Sequence, residues 1–145
     1  MRILILNGAN INFLGKREPD IYGGTTYTKL SEEIIKKAEE LNISVEIFQS
    51  NSEGELIDKI QSSFGKTDFI IVNPGAYTHT SIALRDAFLS VKIPFIEVHI
   101  SNIFKREAFR HKSYFSDISV GTITGFGTYS YILALYAAKN YFNHD

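Results

Sequence analysis

The chain has 145 residues, 44% of them hydrophobic, 21% charged and 13% aromatic, with 15 Lys and Arg against 16 Asp and Glu. A chain of this length buries roughly two thirds of the surface its unfolded form exposes, so a core forms without cross-links and a disordered segment is excluded. Zero cysteines exclude a disulfide framework, a Cys-based zinc site and thiolate chemistry, and a net charge of -1 argues against a dedicated binder of nucleic acid or a membrane surface, which needs a basic face. The expectation is a cytoplasmic protein with a single domain over residues 1–145, and with neither nucleic acid nor membrane as partner.

Residues 3–6 form an apolar run of four ahead of Asn7-Gly8-Ala9-Asn10, too short for a signal peptide or a membrane span, and read as a buried strand. A polar loop runs on to about residue 27. Leu30, Ile34, Ile35, Ala38 and Leu41 then recur at helical spacing with charges between them, which predicts an amphipathic helix. Val45, Ile47 and Phe48 predict a second strand. Ser52 and Glu55 have the form of a capping box before a helix carrying Leu56, Ile57, Ile60 and Phe64. Residues 69–72 predict a third strand, ended by Asn73-Pro74-Gly75, and Ile82, Leu84, Ala87, Phe88 and Leu89 another helix. Residues 95–98 predict a fourth strand. A mixed segment with Phe104, Phe109 and Tyr114 leads to a weaker strand near 118–123, and residues 131–141 form a largely apolar last helix. This alternation predicts an α/β protein: a doubly wound, five-stranded parallel sheet with helices on both faces.

Open parallel sheets bind ligands beyond the C-terminal ends of their strands, where strand order reverses. Polar segments stand at three such ends: Asn7-Gly8-Ala9-Asn10, Asn73-Pro74-Gly75-Ala76-Tyr77-Thr78-His79, and Glu97-Val98-His99-Ile100-Ser101-Asn102. The second strand ends in Gln49-Ser50-Asn51, without a His or an acid. No G-x-G-x-x-G, P-loop or G-x-S-x-G occurs, and Asn7 and Asn73 stand where a phosphoacceptor domain would need acids. His79, His99, His111 and Glu97 lack metal-ligand spacing. Proton transfer remains, with Arg17, Tyr22, Glu97 and His99 as candidates. Two residues apart on a strand, Glu97 and His99 share a face, so the carboxylate can hold the imidazole's tautomer and charge. A satisfied core ion pair is an equal reading of that spacing. On spacing alone Arg17, in Lys16-Arg17-Glu18-Pro19-Asp20, reads as a solvated charge, packing of the loop is an open reading for Tyr22, and a helix start and a surface charge are equal readings for His79 and Arg110.

The segments Asn7-Gly8-Ala9-Asn10-Ile11-Asn12-Phe13-Leu14-Gly15, Arg17-Glu18-Pro19 through Tyr22-Gly23, Asn73 through Ser81 and Glu97 through Asn102 together resemble the type II 3-dehydroquinate dehydratases. The resemblance covers nearly the whole chain and extends to Arg106-Glu107, Phe109-Arg110, Gly121 and Gly125-Phe126-Gly127. Ala9 departs from the usual Pro, and Ile11 and Phe13 replace common leucines, all outside the polar positions. The resemblance implies a flavodoxin-like fold and reversible elimination of water from 3-dehydroquinate to give 3-dehydroshikimate through an enolate, in the shikimate or quinate pathway. It implies no cofactor, neither a metal nor a Schiff-base lysine. Tyr22 is then the base, as a tyrosinate favoured by Arg17. A water held by Asn10 meets the charge developing on the ketone oxygen, and His99, supported by Glu97, protonates the departing hydroxyl. The substrate carboxylate meets the Ile100 and Ser101 amides and the Ser101 hydroxyl, with Asn73 adding hydrogen bonds. His79, Arg110 and a neighbouring subunit's Asp86 contact the ring hydroxyls, in a dodecamer built from trimers. The long loop over residues 12–24 carries Arg17 and Tyr22 and is expected to act as a lid. The alternative is a non-catalytic module of the same fold binding a small organic acid or a partner protein. Tyr22, Arg17 and His99 together count against it, since binding needs neither acid nor base.

Overall fold

Side chains alternate across a strand, so a strand that is apolar at every position has to be covered on both faces. The computed structural model of the chain describes residues 1–16, 18–22 and 24–143, apart from the side chains of Pro19 and Tyr22. Its strands are β1 (Arg2–Asn7), β2 (Ser44–Gln49), β3 (Phe69–Asn73), β4 (Phe95–His99) and β5 (Gly121–Thr124), paired in the order β2-β1-β3-β4-β5. All four pairings are parallel. This is the flavodoxin-like order. The helices are α1 (Pro19–Tyr22), α2 (Tyr27–Glu40), α3 (Glu53–Ser62), α4 (Ile82–Val91) and α5 (Tyr129–Asn143). Ile3 and Ile5 of β1 join Phe69 and Ile71 of β3 in a layer beneath α2 and α5, while Leu4 and Leu6 join Ile70 and Val72 beneath α3 and α4.

Local signals place the helices, and burial holds them. Thr26 caps α2 by accepting the Lys29 N–H at 3.2 Å, a contact worth about 1 kcal/mol. Leu30 and Ile34 of the same helix are buried, each contributing roughly 1.5–3 kcal/mol, so the apolar stripe outweighs the cap. Ser52 caps α3 through the Glu55 N–H, as the Ser52–Glu55 pattern predicts. The reciprocal half of the box does not form, because the Glu55 carboxylate accepts the Ser50 hydroxyl instead.

The remaining departures have similar causes. The polar loop contains a 3-10 helix, Ile11–Phe13, and the single turn of α1, both too short to show a helical period in the sequence. The last strand lies at Gly121–Thr124 rather than 118–123, because the Ile118 N–H turns back to the Phe115 carbonyl at 3.1 Å and its side chain packs on the α4 layer. Phe64 falls beyond the end of α3 and is 68% exposed. In α4, Leu84, Ala87, Phe88 and Val91 face the core, and Ile82 and Leu89 face outward.

Candidate active site

Strand order reverses between β1 and β3, and there Asn7 and Asn73 stand side by side in register. The chain leaving β1 packs backbone on backbone against the chain leaving β3. The Gly8 N–H donates to the Asn73 carbonyl at 2.8 Å, and a Cβ on Gly8 would sit 2.2 Å from the Pro74 carbonyl oxygen. Gly75, at φ +61°, would bring a Cβ to 2.6 Å from the Ala9 carbonyl oxygen. Two glycines therefore close the floor of the crevice. Beneath it, the buried Tyr131 hydroxyl of α5 donates to Asn7 Oδ1 at 2.7 Å and accepts from Asn73 Nδ2 at 2.9 Å. Asn73 Oδ1 accepts the Gly75 N–H at 3.2 Å. Burial pushes the Tyr131 phenol well up, so at neutral pH it is a neutral bridge.

A cleft of about 160 Å³ opens above this floor, lined by Asn10, Asn73, His79, His99, Ile100, Ser101, Arg106 and Arg110 among others. Asn10 holds a left-handed backbone, φ 69°, and its N–H donates to Asn51 Oδ1 at 2.9 Å. Gln49 Nε2 donates to the same Asn51 oxygen and to the Gly8 carbonyl, both at 3.2 Å. The polar end of β2 thus secures the loop that presents Asn10.

Glu97 and His99 point to one face of β4, as their spacing predicts, and His99 Nε2 is hydrogen-bonded to Glu97 Oε2. Glu97 has no exposed surface. Thr78 Oγ1 donates to Oε2 at 3.0 Å, Ser113 Oγ to both carboxylate oxygens at 2.9 Å, and Ser116 Oγ to Oε1 at 2.6 Å. Burial pushes this carboxyl up, but hydrogen bonds from His99 and the seryl hydroxyls outweigh it and hold Glu97 below the ordinary carboxylate value. The pair is an ionised carboxylate beneath an imidazole that opens on the cleft.

The His79 ring lies 6.5 Å from that of His99, nearly parallel. His79 Nδ1 lies 2.7 Å from the Lys112 carbonyl, which can only accept, so the proton is on Nδ1. Burial pushes the His79 pKa down, as do the neighbouring His99 and Arg110 charges, against the raising effect of the Lys112 carbonyl, which leaves a neutral ring with Nε2 as its acceptor atom. The backbone after β4 is also directed. The His99 and Ile100 carbonyls accept from Gly125 and Gly127 at 3.1 and 3.0 Å, and since no peptide here is cis, the Ile100 and Ser101 N–H groups point the opposite way, toward β3 and the cleft. Consecutive amides aimed to one side are a geometry suited to an anion. Arg106 Nη1 donates to Ser101 Oγ at 3.3 Å, and Arg110 pairs with Glu107 at 2.7 Å.

The structure thus brings together Asn10, Asn73, His79, His99, Ile100, Ser101 and Arg110, with Glu97 directly behind His99. Asp86 is exposed on α4 and is not among the residues lining the cleft. Arg17 and the side chain of Tyr22 lie outside the described residues, and so does Gly23 of the expected lid. The sequence reading missed Arg106 as a lining residue and assigned no role to Thr78, Ser113 or Ser116. For the serines there is no local signal, since their partner lies 16 and 19 residues away.

Fold and site define a flavodoxin-like α/β protein with a histidine–carboxylate pair on the strand next to its switch point. The sequence profile of the family described as dehydroquinase class II matches residues 1–139. The 3-dehydroquinate dehydratase of Prochlorococcus marinus is 56% identical over 141 residues, covering 97% of both chains, and that of Haemophilus influenzae is 55% identical over 140 residues, covering 97% of this chain and 94% of the other. The crystal structure of a type II dehydroquinase from Butyrivibrio crossotus superposes with a TM-score of 0.93 at 50% identity, covering 97% of both chains. The chain belongs to the class II dehydroquinase family.

Proposed function

We propose that the chain is a type II 3-dehydroquinate dehydratase, a hydro-lyase that converts 3-dehydroquinate to 3-dehydroshikimate and water. The observation that carries the reading, beyond family membership, is the buried Glu97 behind His99 at the cleft, because elimination of a hydroxyl needs a proton delivered to it. Tyr22, as a tyrosinate favoured by Arg17, removes the proton α to the ketone, an assignment that rests on the motif both residues occupy. The electron pair of that C–H bond forms an enolate, and a water held by Asn10 hydrogen-bonds the enolate oxygen. Collapse of the enolate expels the β-hydroxyl, which takes its proton from His99 and leaves as water. Acid, base and oxyanion water complete the proton inventory, so no cofactor is assigned.

The Ile100 and Ser101 amides and the Ser101 hydroxyl hold the substrate carboxylate, Asn73 adds hydrogen bonds, and His79 and Arg110 hold the ring hydroxyls. Arg106 and Arg110 at the cleft favour entry of an anion. The partner subunit's Asp86 completes the site within a dodecamer built from trimers. No helix among the described residues is long and apolar enough to cross a membrane, and we place the enzyme in the cytoplasm, in the shikimate or quinate pathway. Absorbance of the conjugated enone product tests the reading. The wild type is expected to form it, and Tyr22→Phe or His99→Ala to lose about 10² to 10⁴ in rate. A wild type that leaves 3-dehydroquinate unchanged overturns the activity, and a Tyr22→Phe protein keeping more than about a tenth of turnover overturns the base.

A further inference from the structure

Behind the cleft, the segment from Lys112 to Ser116 touches both cleft histidines' supports. The Lys112 carbonyl fixes His79 Nδ1, the Tyr114 N–H donates to the Thr78 carbonyl at 2.8 Å, and Ser113 meets Glu97. The Ser113 hydroxyl has two lone pairs and one proton. It accepts the Phe115 N–H at 2.9 Å and the Ser116 N–H at 3.1 Å, so both lone pairs are occupied by groups that can only donate. Its one proton therefore goes to Glu97, shared between the two oxygens. Ser113 cannot turn round to accept a proton from the carboxyl group. Thr78, fully buried, and Ser116 add further donors to the carboxylate.

We propose that Ser113 and Thr78 are positioning residues that fix Glu97 as an acceptor-only anion, so that the proton between Glu97 and His99 stays on the imidazole Nε2 and the other ring proton, on Nδ1, is the one delivered to the leaving hydroxyl. The proposal rests on the dehydratase reading for its catalytic consequence, and on hydrogen-bond geometry alone for the state of Glu97. The other charged groups around the pair are His79 on the 3-10 helix Gly75–His79, Arg110 and Arg106 at the cleft, and the Arg85–Asp117 ion pair where α4 meets the segment. Of these, Arg85 is occupied by Asp117 at 2.5 Å and the Tyr114 carbonyl at 2.9 Å. Among the described residues, the hydroxyls and His99 hydrogen-bond the carboxylate.

The experiment follows the Glu97 carboxyl by carbon-13 NMR across pH in the unliganded protein, alongside the pH dependence of kcat and KM. In the wild type Glu97 is expected to stay ionised to below the ordinary carboxylate range. In Ser113→Ala its midpoint rises by about one pH unit, since a hydrogen bond donated to a charged group is worth roughly a tenfold preference or more. Thr78→Val, close in shape and leaving no room for water, gives a rise in the same direction and stands in where Ser113→Ala fails to fold. Both variants lower kcat at acid pH with little change in KM, because the acid limb of kcat moves upward with the Glu97 midpoint, and Ser113→Thr restores both. An unchanged Glu97 midpoint in the folded variants overturns the proposal, as does a shifted midpoint with an unchanged kcat profile. If the wild type does not dehydrate 3-dehydroquinate, the dehydratase reading falls, and the Glu97 titration still decides what the hydroxyls do.

Discussion

A carboxylate taken fully out of water costs several kcal/mol unless donors replace its hydration, and Glu97 is held by His99 and three hydroxyls. Its pKa is lowered in the folded chain, so the folded state binds fewer protons than the unfolded one across that window. The stabilisation is fully present above the ordinary carboxylate value and is lost as pH falls through the lowered one. Glu97→Gln is expected to lose about 3–5 kcal/mol at neutral pH, because it removes one partner of a buried pair, and to show a shallower acid decline below about pH 4. Urea titrations at several pH values check this, and parallel declines for the two proteins would refute it. Gly8 and Gly75 act through the backbone alone. Gly8→Ala places a methyl 2.2 Å from a main-chain carbonyl that cannot swing away, and a loss of at least about 2 kcal/mol is expected by thermal denaturation. A near-neutral Gly8→Ala would mean that the two strand ends can part. At this scale the Glu97–His99 pair is legible from its spacing of two, since alternation puts both on one face. Ser113 is not legible, because nothing near it in the chain marks the carboxylate it serves.

Elements carry chemistry to the site from opposite layers of the molecule. Helix α5 contributes Tyr131, whose hydroxyl ties the ends of β1 and β3 together across 124 and 58 residues of chain. Tyr131→Phe keeps the ring in the core but leaves the Asn7 and Asn73 amides short of a partner, at an expected cost of about 1–3 kcal/mol. Because Asn73 lines the cleft, kcat/KM should fall together with stability. Equilibrium unfolding and steady-state kinetics read the two effects, and full activity in a destabilised variant would show that Asn73 needs no such support. The stripe of α2 and the apolar runs of β1, β3 and β4 were readable because burial imposes its own period. The position of β5 was less so. It is an edge strand of four residues, and Ile118 has the composition of a strand but is spent on a turn and on packing beside α4.

Across the whole molecule, the two apolar layers share β1, β3 and β4. A single cooperative unfolding transition by calorimetry is expected of a one-domain chain. The outward face of α4 carries Ile82 at 56% exposure and Leu89 at 48%, with the exposed Asp86 between them at helical spacing. That face suits contact with a second copy and would deliver Asp86 to a neighbouring cleft. Light scattering is expected to report a dodecamer. Mixing Asp86→Ala and Tyr22→Phe proteins under subunit exchange is expected to regain activity that neither has alone, because a mixed assembly contains some sites with both residues intact. A fully active monomer would exclude the arrangement.

By itself the sequence determined the layered architecture, the strand ends at which chemistry gathers, and the pairing of Glu97 with His99, because periodicity and short spacing act over one element at a time. Its resemblance to the class II dehydroquinases, carried by motifs in order along nearly the whole chain, determined the family. The tertiary structure decided what those motifs rest on: Tyr131 bridging two asparagines from α5, the end of β2 securing Asn10, and hydroxyls from Thr78, Ser113 and Ser116 surrounding one carboxylate. Each of these depends on residues 16 or more positions apart meeting at hydrogen-bond distance, and no local pattern encodes a meeting that only the order of the strands brings about.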